Sequence, residues 1–262
     1  MNRLVPFDAN YDQIKKLETT AFVFLLITAM IILTNWLLLK FSNEKTISEY
    51  ADLLEVAKTV SYVSMVGYLI INVISKILFH TAEKKKRNDL IDNSFGTKYS
   101  DENTVGYYNN DEVESGIKKL ALNSYESSFH TENTLKLMLY KGLIYLIILS
   151  IPFFLSIFTK NGGDIVRLLF EISIPATLFF EFIIMLIYYL NVCEINERFK
   201  IEFTNIGKAN LSERDYPKLL IPIMEYYSMK AWANTNLDST IFNKNNERIS
   251  QKWKERKTKL IP

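Results

Sequence analysis

Four stretches of the chain are almost purely apolar, and strongly polar segments separate them. The first, "AFVFLLITAMIILTNWLLL", runs from Ala21 to Leu39 without a charge. The second runs from Val60 to Ser75 and reaches Phe79 if Lys76 snorkels; the third spans Gly142 to Phe158, and the fourth Leu168 to Cys193. A helix needs about 20 apolar residues to cross about 30 Å of hydrocarbon. The first and fourth runs meet that length and the other two lie near its short limit. A core helix of a soluble protein normally keeps a polar face, which these runs largely lack. The pattern predicts an all-α membrane protein with four transmembrane helices. The first run starts late, is long and is followed by no small-x-small cleavage site, so it reads as a retained span.

The polar segments carry helical signals of their own. Residues 88 to 110 read as irregular. "NNDEVESGIKKLALNSYESS" then predicts a helix capped by Asn110 or Asp111, with acids in its first turn and Lys118 and Lys119 later, the polarity that a helix dipole favours. A second start at Thr131 leads into the third span, so one helix can run from water into lipid. "EINERFKIEF" extends the fourth span. Ser212 is the next expected cap, with Pro217 in a first turn and Leu220, Met224, Tyr227 and Ala231 along one face. The last segment is basic, with Ile249 and Trp253 at i, i+4; a solvated helix and a membrane-surface helix both fit it.

Net charge is only +2, so there is no whole-chain pull toward nucleic acid. Its distribution sets an orientation. Residues 76–141 carry ten cations and residues 194–262 thirteen, whereas the first loop is acidic and the short third loop has only Lys160 and Arg167. The positive-inside rule then places both termini and the central segment in the cytoplasm. The expected organisation is a cytoplasmic arm (1–20), spans one and two with an external loop (21–79), a cytoplasmic central segment (80–141), spans three and four (142–193) and a cytoplasmic tail (194–262). The central loop and the tail together build a helical cytoplasmic region, and the localisation implied is a multi-pass plasma-membrane protein.

One cysteine, Cys193, and two histidines, His80 and His130, allow neither an internal disulfide nor a Cys/His zinc pattern. No glycine-rich phosphate loop or nucleophile motif is present, and no spacing groups Ser, His and Asp. The chain therefore reads as a non-enzyme, with no catalytic residue, metal or cofactor.

Polar residues inside spans are expensive and therefore informative. In span two, Ser61, Ser64, Tyr68, Asn72 and Ser75 fall on one arc at about 100° per residue. In span four, Ser173, Thr177, Glu181 and Tyr188 do the same. Helix packing and a water-lined path both explain the span-two stripe. For Glu181 the favoured reading is a water-facing carboxylate, with Ser61, Ser64, Tyr68, Asn72, Ser75, Ser173, Thr177 and Glu181 lining a polar path between subunits of a homo-oligomer.

Directly after span two comes a basic knot, Lys84, Lys85, Lys86 and Arg87, and then "NDLIDNSFGTKYSDENTVGYYNN". As a juxtamembrane positive-inside signal the knot needs no further explanation; the string beyond it does. Four spans, a large inside loop between spans two and three, and "RNDLIDNSFG…YYNND" resemble the SMODS-associating four-transmembrane effectors of bacterial anti-phage defence, and the build is similar to that of the Hailong membrane effectors. The resemblance implies a bacterial inner-membrane location and a nucleotide signal, an oligonucleotide or a cyclic nucleotide, made by a partner nucleotidyltransferase. It further implies an oligomeric channel or pore, a tetramer by preference, that damages the infected cell. For such a ligand, Lys84, Lys85, Lys86 and Arg87 would meet phosphates, Tyr107 and Tyr108 would stack bases, and Asn109 and Asn110 would read base edges. Packing of Tyr107 and Tyr108 against the membrane surface is the plainer reading. The competing classes are a small secondary transporter, which usually shows more spans and internal repeats, and a membrane anchor that scaffolds a soluble enzyme.

The charge asymmetry makes a direct prediction. Reporters fused after Asn110 and at the C-terminus should behave as cytoplasmic, and one inserted at Gly162 as external. A cytoplasmic signal at Gly162 would overturn the four-span arrangement.

Overall fold

A computed structural model describes residues 5–102, 104–105, 107–108, 110–157, 165–206 and 212–260. Every regular element among them is helical: α1 (Asp8–Phe41), α2 (Glu44–Glu49), α3 (Ala51–Phe95), α4 (Ile117–Ile157), α5 (Ile165–Ile206), α6 (Tyr216–Ala233) and α7 (Ser239–Leu260), with a 3-10 turn at Glu213–Asp215 before α6. Four of these helices, α1, α3, α4 and α5, are long and apolar enough to cross a membrane.

Several boundaries differ from the sequence pattern. α3 does not stop near residue 88; it continues to Phe95 and ends where Gly96, at φ 71°, donates its N–H to the Asp92 carbonyl. A left-handed residue after the last turn is the usual helix stop, and glycine adopts it without strain. α4 starts at Ile117 rather than after Asn110 or Asp111, and it passes through Thr131 without a second start. Asn110 is not a cap because its side chain is committed elsewhere, to Asn123 and Glu126.

The chain divides into two compact units. The apolar unit comprises Gln13–Ile77 and Tyr140–Ile183. Its core joins Ala21, Leu25, Ala29 and Ile32 of α1 to Met65 and Tyr68 of α3, Leu149 and Phe153 of α4 and Ile174 of α5. Small residues let the helices approach: a Cβ on Gly67 would lie 2.8 Å from the Phe24 ring. The outward residues are apolar too. On α3, Val63, Val66, Ile70, Val73 and Ile77 are all exposed, as are Ile144, Ile147, Ile148 and Ile151 on α4. Meanwhile Ser61, Ser64, Tyr68 and Ser75 are buried. Apolar surface outside and hydroxyls inside is the arrangement that suits a lipid solvent.

The polar unit comprises Met1–Asp12, Leu78–Leu139 and Ile184–Pro262. Its centre is an ion pair sealed from water: Lys230 Nζ of α6 lies 2.8 Å from Glu83 Oε2 of α3, with both side chains almost fully buried. Tyr11 of α1 donates its hydroxyl to the same carboxylate. This pair sets the rotation of α6. The face predicted to pack, Leu220, Met224, Tyr227 and Ala231, is not the one that does; Met224 and Ala231 are exposed. Leu219, Pro222, Ile223, Tyr226, Lys230 and Ala233 are buried instead. Hydropathy alone assigns Lys230 to solvent, so it turns the helix about one residue from its true orientation.

α7 is not a free helix: one face packs against the rest of the polar unit. Ile249 and Trp253 are buried. Trp253 meets Tyr125 of α4 edge to face at 5.0 Å, and Tyr125 stacks on Phe199 of α5 at 5.1 Å. Arg256 lies 4.6 Å from the Phe129 ring centre.

Burial alone would raise the Glu83 carboxyl. The Lys230 and Lys86 charges, with hydrogen bonds from Lys230 and Tyr11, outweigh it and hold the group below its ordinary value. A depressed carboxyl contributes stability above the ordinary carboxylate range and loses it as pH falls toward the folded value. The Lys230→Met variant should therefore lose about 3–5 kcal/mol, because it strands a buried carboxylate. The double variant Glu83→Gln/Lys230→Met should recover most of that loss. Thermal unfolding of the purified protein in detergent measures both, and a double variant no more stable than the single one would show that the pair is not the source.

Candidate functional site

The string after the basic knot is, first, a piece of architecture. Asp92, buried at the end of α3, gathers the chain that follows: Thr97 Oγ1, the Tyr99 amide and the Ser100 amide each donate to its carboxylate at 2.7 Å. Burial opposes ionisation there, and the hydrogen bonds from Tyr99, Thr97 and Ser100 overcome it, holding the group below its usual range. Asp89, one turn earlier, accepts from the Thr104 amide at 2.7 Å and its hydroxyl at 2.8 Å. Asn123 of α4 donates to Asn93 and Ser94 at 2.9 and 3.3 Å. Asn110 donates to Asn123 and Glu126, each at 2.8 Å, and accepts from Lys257 of α7 at 2.8 Å. Lys257 also contacts Glu112. Acidic and amide side chains of the string thus spend their hydrogen-bonding capacity on the protein itself.

That reassigns several expected binding residues. Asn110 is fully buried and bonded through both ends of its amide, so it holds α4 and α7 to the loop. Asn109 lies outside the described residues. Tyr108 is 5% exposed and packs edge to face on Tyr107 at 4.8 Å. Tyr107 is half-buried, edge to face with Phe7 at 5.5 Å, with Lys86 Nζ 5.4 Å from its ring centre. Both belong to an aromatic cluster with Phe7 of the N-terminal arm. The four cations divide. Lys84 and Lys85 are exposed, with Lys85 donating to Asn10 at 3.4 Å, whereas Lys86 and Arg87 are half-buried.

Lys86, Tyr107 and Tyr108 do share one cavity of about 130 Å³, closed by Glu126, His130 and Thr131 of α4 and by Phe242, Asn246 and Ser250 of α7. His130 is the member that sequence reasoning set aside. Burial, and secondarily the Lys86 charge, lower its pKa to about 4. The ring is therefore neutral at pH 7, and its buried Nδ1 has no hydrogen-bond partner. A neutral imidazole, an amide, hydroxyls, an ammonium, aromatic edges and the Glu126 carboxylate, itself bonded to Asn110, surround one small space that can bind a planar, hydrogen-bonding group. No spacing in the sequence joins residues 86, 107, 130 and 246. Among the described residues no group of three or more metal-ligating side chains forms.

The expected path residues lie in the apolar unit. Ser61, Ser64, Tyr68 and Ser75 are turned into the chain's own core, and the Ser61 carbonyl accepts from Thr28 of α1 at 3.4 Å. Packing thus explains that stripe. Asn72 is half-buried and donates to Glu181 at 3.2 Å, joining α3 to α5. Ser173 is exposed, and Thr177 and Glu181 are half-buried, so the α5 row is the more accessible of the two.

Replacing Asp92 with Ala should release the loop it gathers. Hydrogen exchange at the Tyr99 and Ser100 amides should accelerate about tenfold or more, since a hydrogen bond to a charged group contributes roughly 1.5–3 kcal/mol. Unchanged rates would mean that other contacts hold the loop.

Comparison of the chain with protein-family models, with curated proteins and with solved structures finds no match.

Proposed function

We propose that the protein is the membrane effector of a nucleotide-signalling anti-phage defence system. In this reading it is a homo-oligomeric channel or pore of the bacterial inner membrane, with both termini cytoplasmic, gated by an oligonucleotide or cyclic nucleotide from a partner nucleotidyltransferase. The observation that carries the reading is the cavity under Lys86 and Tyr107. One of its lining residues, Lys86, belongs to α3, the helix that also bears the Asn72 contact to Glu181.

A signal with phosphates and bases suits the groups available. Exposed Lys84 and Lys85 meet phosphates at the surface, and Lys86 draws one toward the cavity. Tyr107, rather than buried Tyr108, is the ring a base can reach. Ions then pass along the α5 row, Ser173, Thr177 and Glu181, where copies of the chain meet. The carboxylate there favours cations. The α3 stripe supports that row from behind through Asn72.

Binding to the purified protein in detergent and conductance in planar bilayers test this together. Oligodeoxynucleotide and cyclic dinucleotide should each be tried. Binding should fall steeply with salt, because phosphate contacts release counterions. Replacing Lys84, Lys85, Lys86 and Arg87 with Gln should weaken binding for every base sequence, and Tyr107→Ala should cost roughly 1–3 kcal/mol for a lost stack. Binding unchanged in both variants would move the receiver away from the knot. Ligand binding without conductance in any state would favour the scaffold, and flux driven by an ion gradient the transporter.

A further inference from the structure

The chain just before α1 docks on the residues that the nucleotide reading assigns to the signal. Phe7 leads this arm and is 3% exposed, although it precedes the first helix. It meets Tyr107 edge to face at 5.5 Å and Tyr11 in the same way at 6.0 Å. The Lys86 ammonium lies 5.9 Å from the Phe7 ring centre and 5.4 Å from that of Tyr107, so two rings share one cation. Asn10, one turn on, accepts from Lys85 at 3.4 Å. All of these residues belong to the polar unit.

The arm thus rests on Lys85, Lys86 and Tyr107, and its hold on each is of a kind that a nucleotide can replace. A phosphate offers an ammonium a full negative charge and a charge-assisted hydrogen bond, where a ring offers only its quadrupole. A base that stacks on Tyr107 competes for ring surface that Phe7 and the Lys86 ammonium now hold. Tyr11 is different. Its hydroxyl donates to Glu83 inside the buried ion pair, so it belongs to the centre of the unit. Phe7 is therefore the part of the arm that can leave while that centre stays intact.

We propose that the N-terminal arm is an intramolecular competitor for the signal: Phe7 occupies Lys86 and Tyr107 in the resting protein, and a nucleotide that takes Lys86 with a phosphate and Tyr107 with a base displaces it. This rests on the nucleotide reading and deepens it, because the docked fraction of the arm becomes the quantity that the signal changes. The apparent dissociation constant rises as the undocked fraction falls.

The test compares wild type, Phe7→Ala and Phe7→Leu, each as the intact protein in detergent. Binding is measured with a short oligodeoxynucleotide of mixed sequence and with a cyclic dinucleotide. Hydrogen exchange is followed in the same samples at the Asp8, Asn10 and Tyr11 amides, which close the first turn on Val5 and Phe7. Phe7→Ala should bind at least one of the probes about tenfold more tightly than wild type, the combined size of one edge-to-face pair and one cation–π contact. Phe7→Leu keeps an apolar side chain and removes the ring, so it should reproduce most of that gain. A saturating probe should speed exchange of the three amides in wild type. Equal binding by the three proteins, weaker binding by Phe7→Ala, or amides whose exchange ignores the bound probe would overturn the competition and leave the nucleotide reading standing. Failure of all three proteins to bind either probe would overturn both.

Discussion

One charge pair organises the polar unit. Glu83 and Lys230 are nearly the least exposed ionisable groups described, 4% and 5% accessible, and each is tolerable there only because the other is present. Their contact brings α3 against α6, and Tyr11 adds the N-terminal arm at the same point. The faces that α6 buries and exposes follow from it. Tyr226, one turn before Lys230, reaches Thr131 of α4 at 2.9 Å. Arg198 of α5 meets Glu225 at 2.7 Å on the adjoining side. The pair supplies orientation more than net stability, since well-packed apolar residues could match its energy.

The apolar unit obeys a different solvent. In water its exposed valines and isoleucines would be a liability; in hydrocarbon there is no penalty for them, and the hydroxyls become the groups that need cover. Burying Ser61, Ser64 and Ser75 while exposing Val63, Val66, Ile70 and Val73 answers that requirement. A polar stripe in a span therefore has two meanings, and the partner it meets decides between them. Thr28 meets the Ser61 backbone inside the chain. Glu181 meets Asn72 yet remains partly accessible on α5. The first is cohesion between helices; the second leaves a group that can face a neighbour.

Much of the fold was legible because lipid imposes a simple rule: long apolar runs become helices, and all four do. The continuations of α4 and α5 beyond the runs were legible too, through polar periodicity, although the start of α4 was not. Errors fall where a polar residue leaves its expected environment. Lys230 rotates α6, and no hydropathy rule places an ammonium in a core. Asn110 has the chemistry of a cap or a base reader, but Asn123, Glu126 and Lys257 claim it across 13 to 147 residues of sequence. Tyr107 packs on Phe7, and Tyr108 on Tyr107; Phe7 lies in an arm that carried no signal. The cavity holding His130 was invisible for the same reason: it is assembled from α3, α4, α7 and the loop, and only the Lys86 and tyrosine part stood out as a string.

α3 has a mechanical consequence. It extends 45 residues, about 68 Å at 1.5 Å per residue, with no proline along it. α4 and α5 each carry one inside their apolar half, Pro152 and Pro175, and a proline removes one rung of the hydrogen-bond ladder and marks a preferred bend. The proline-marked bend points therefore lie in α4 and α5, and α3 has none. Within the apolar unit, Asn72 is the α3 residue whose side chain reaches Glu181 of α5, so a turn of α3 about its own axis moves that contact. Turning is also the motion to which a single side-chain contact such as Asn72 to Glu181 is most sensitive, because a few tens of degrees carry the amide off the carboxylate without separating the helices.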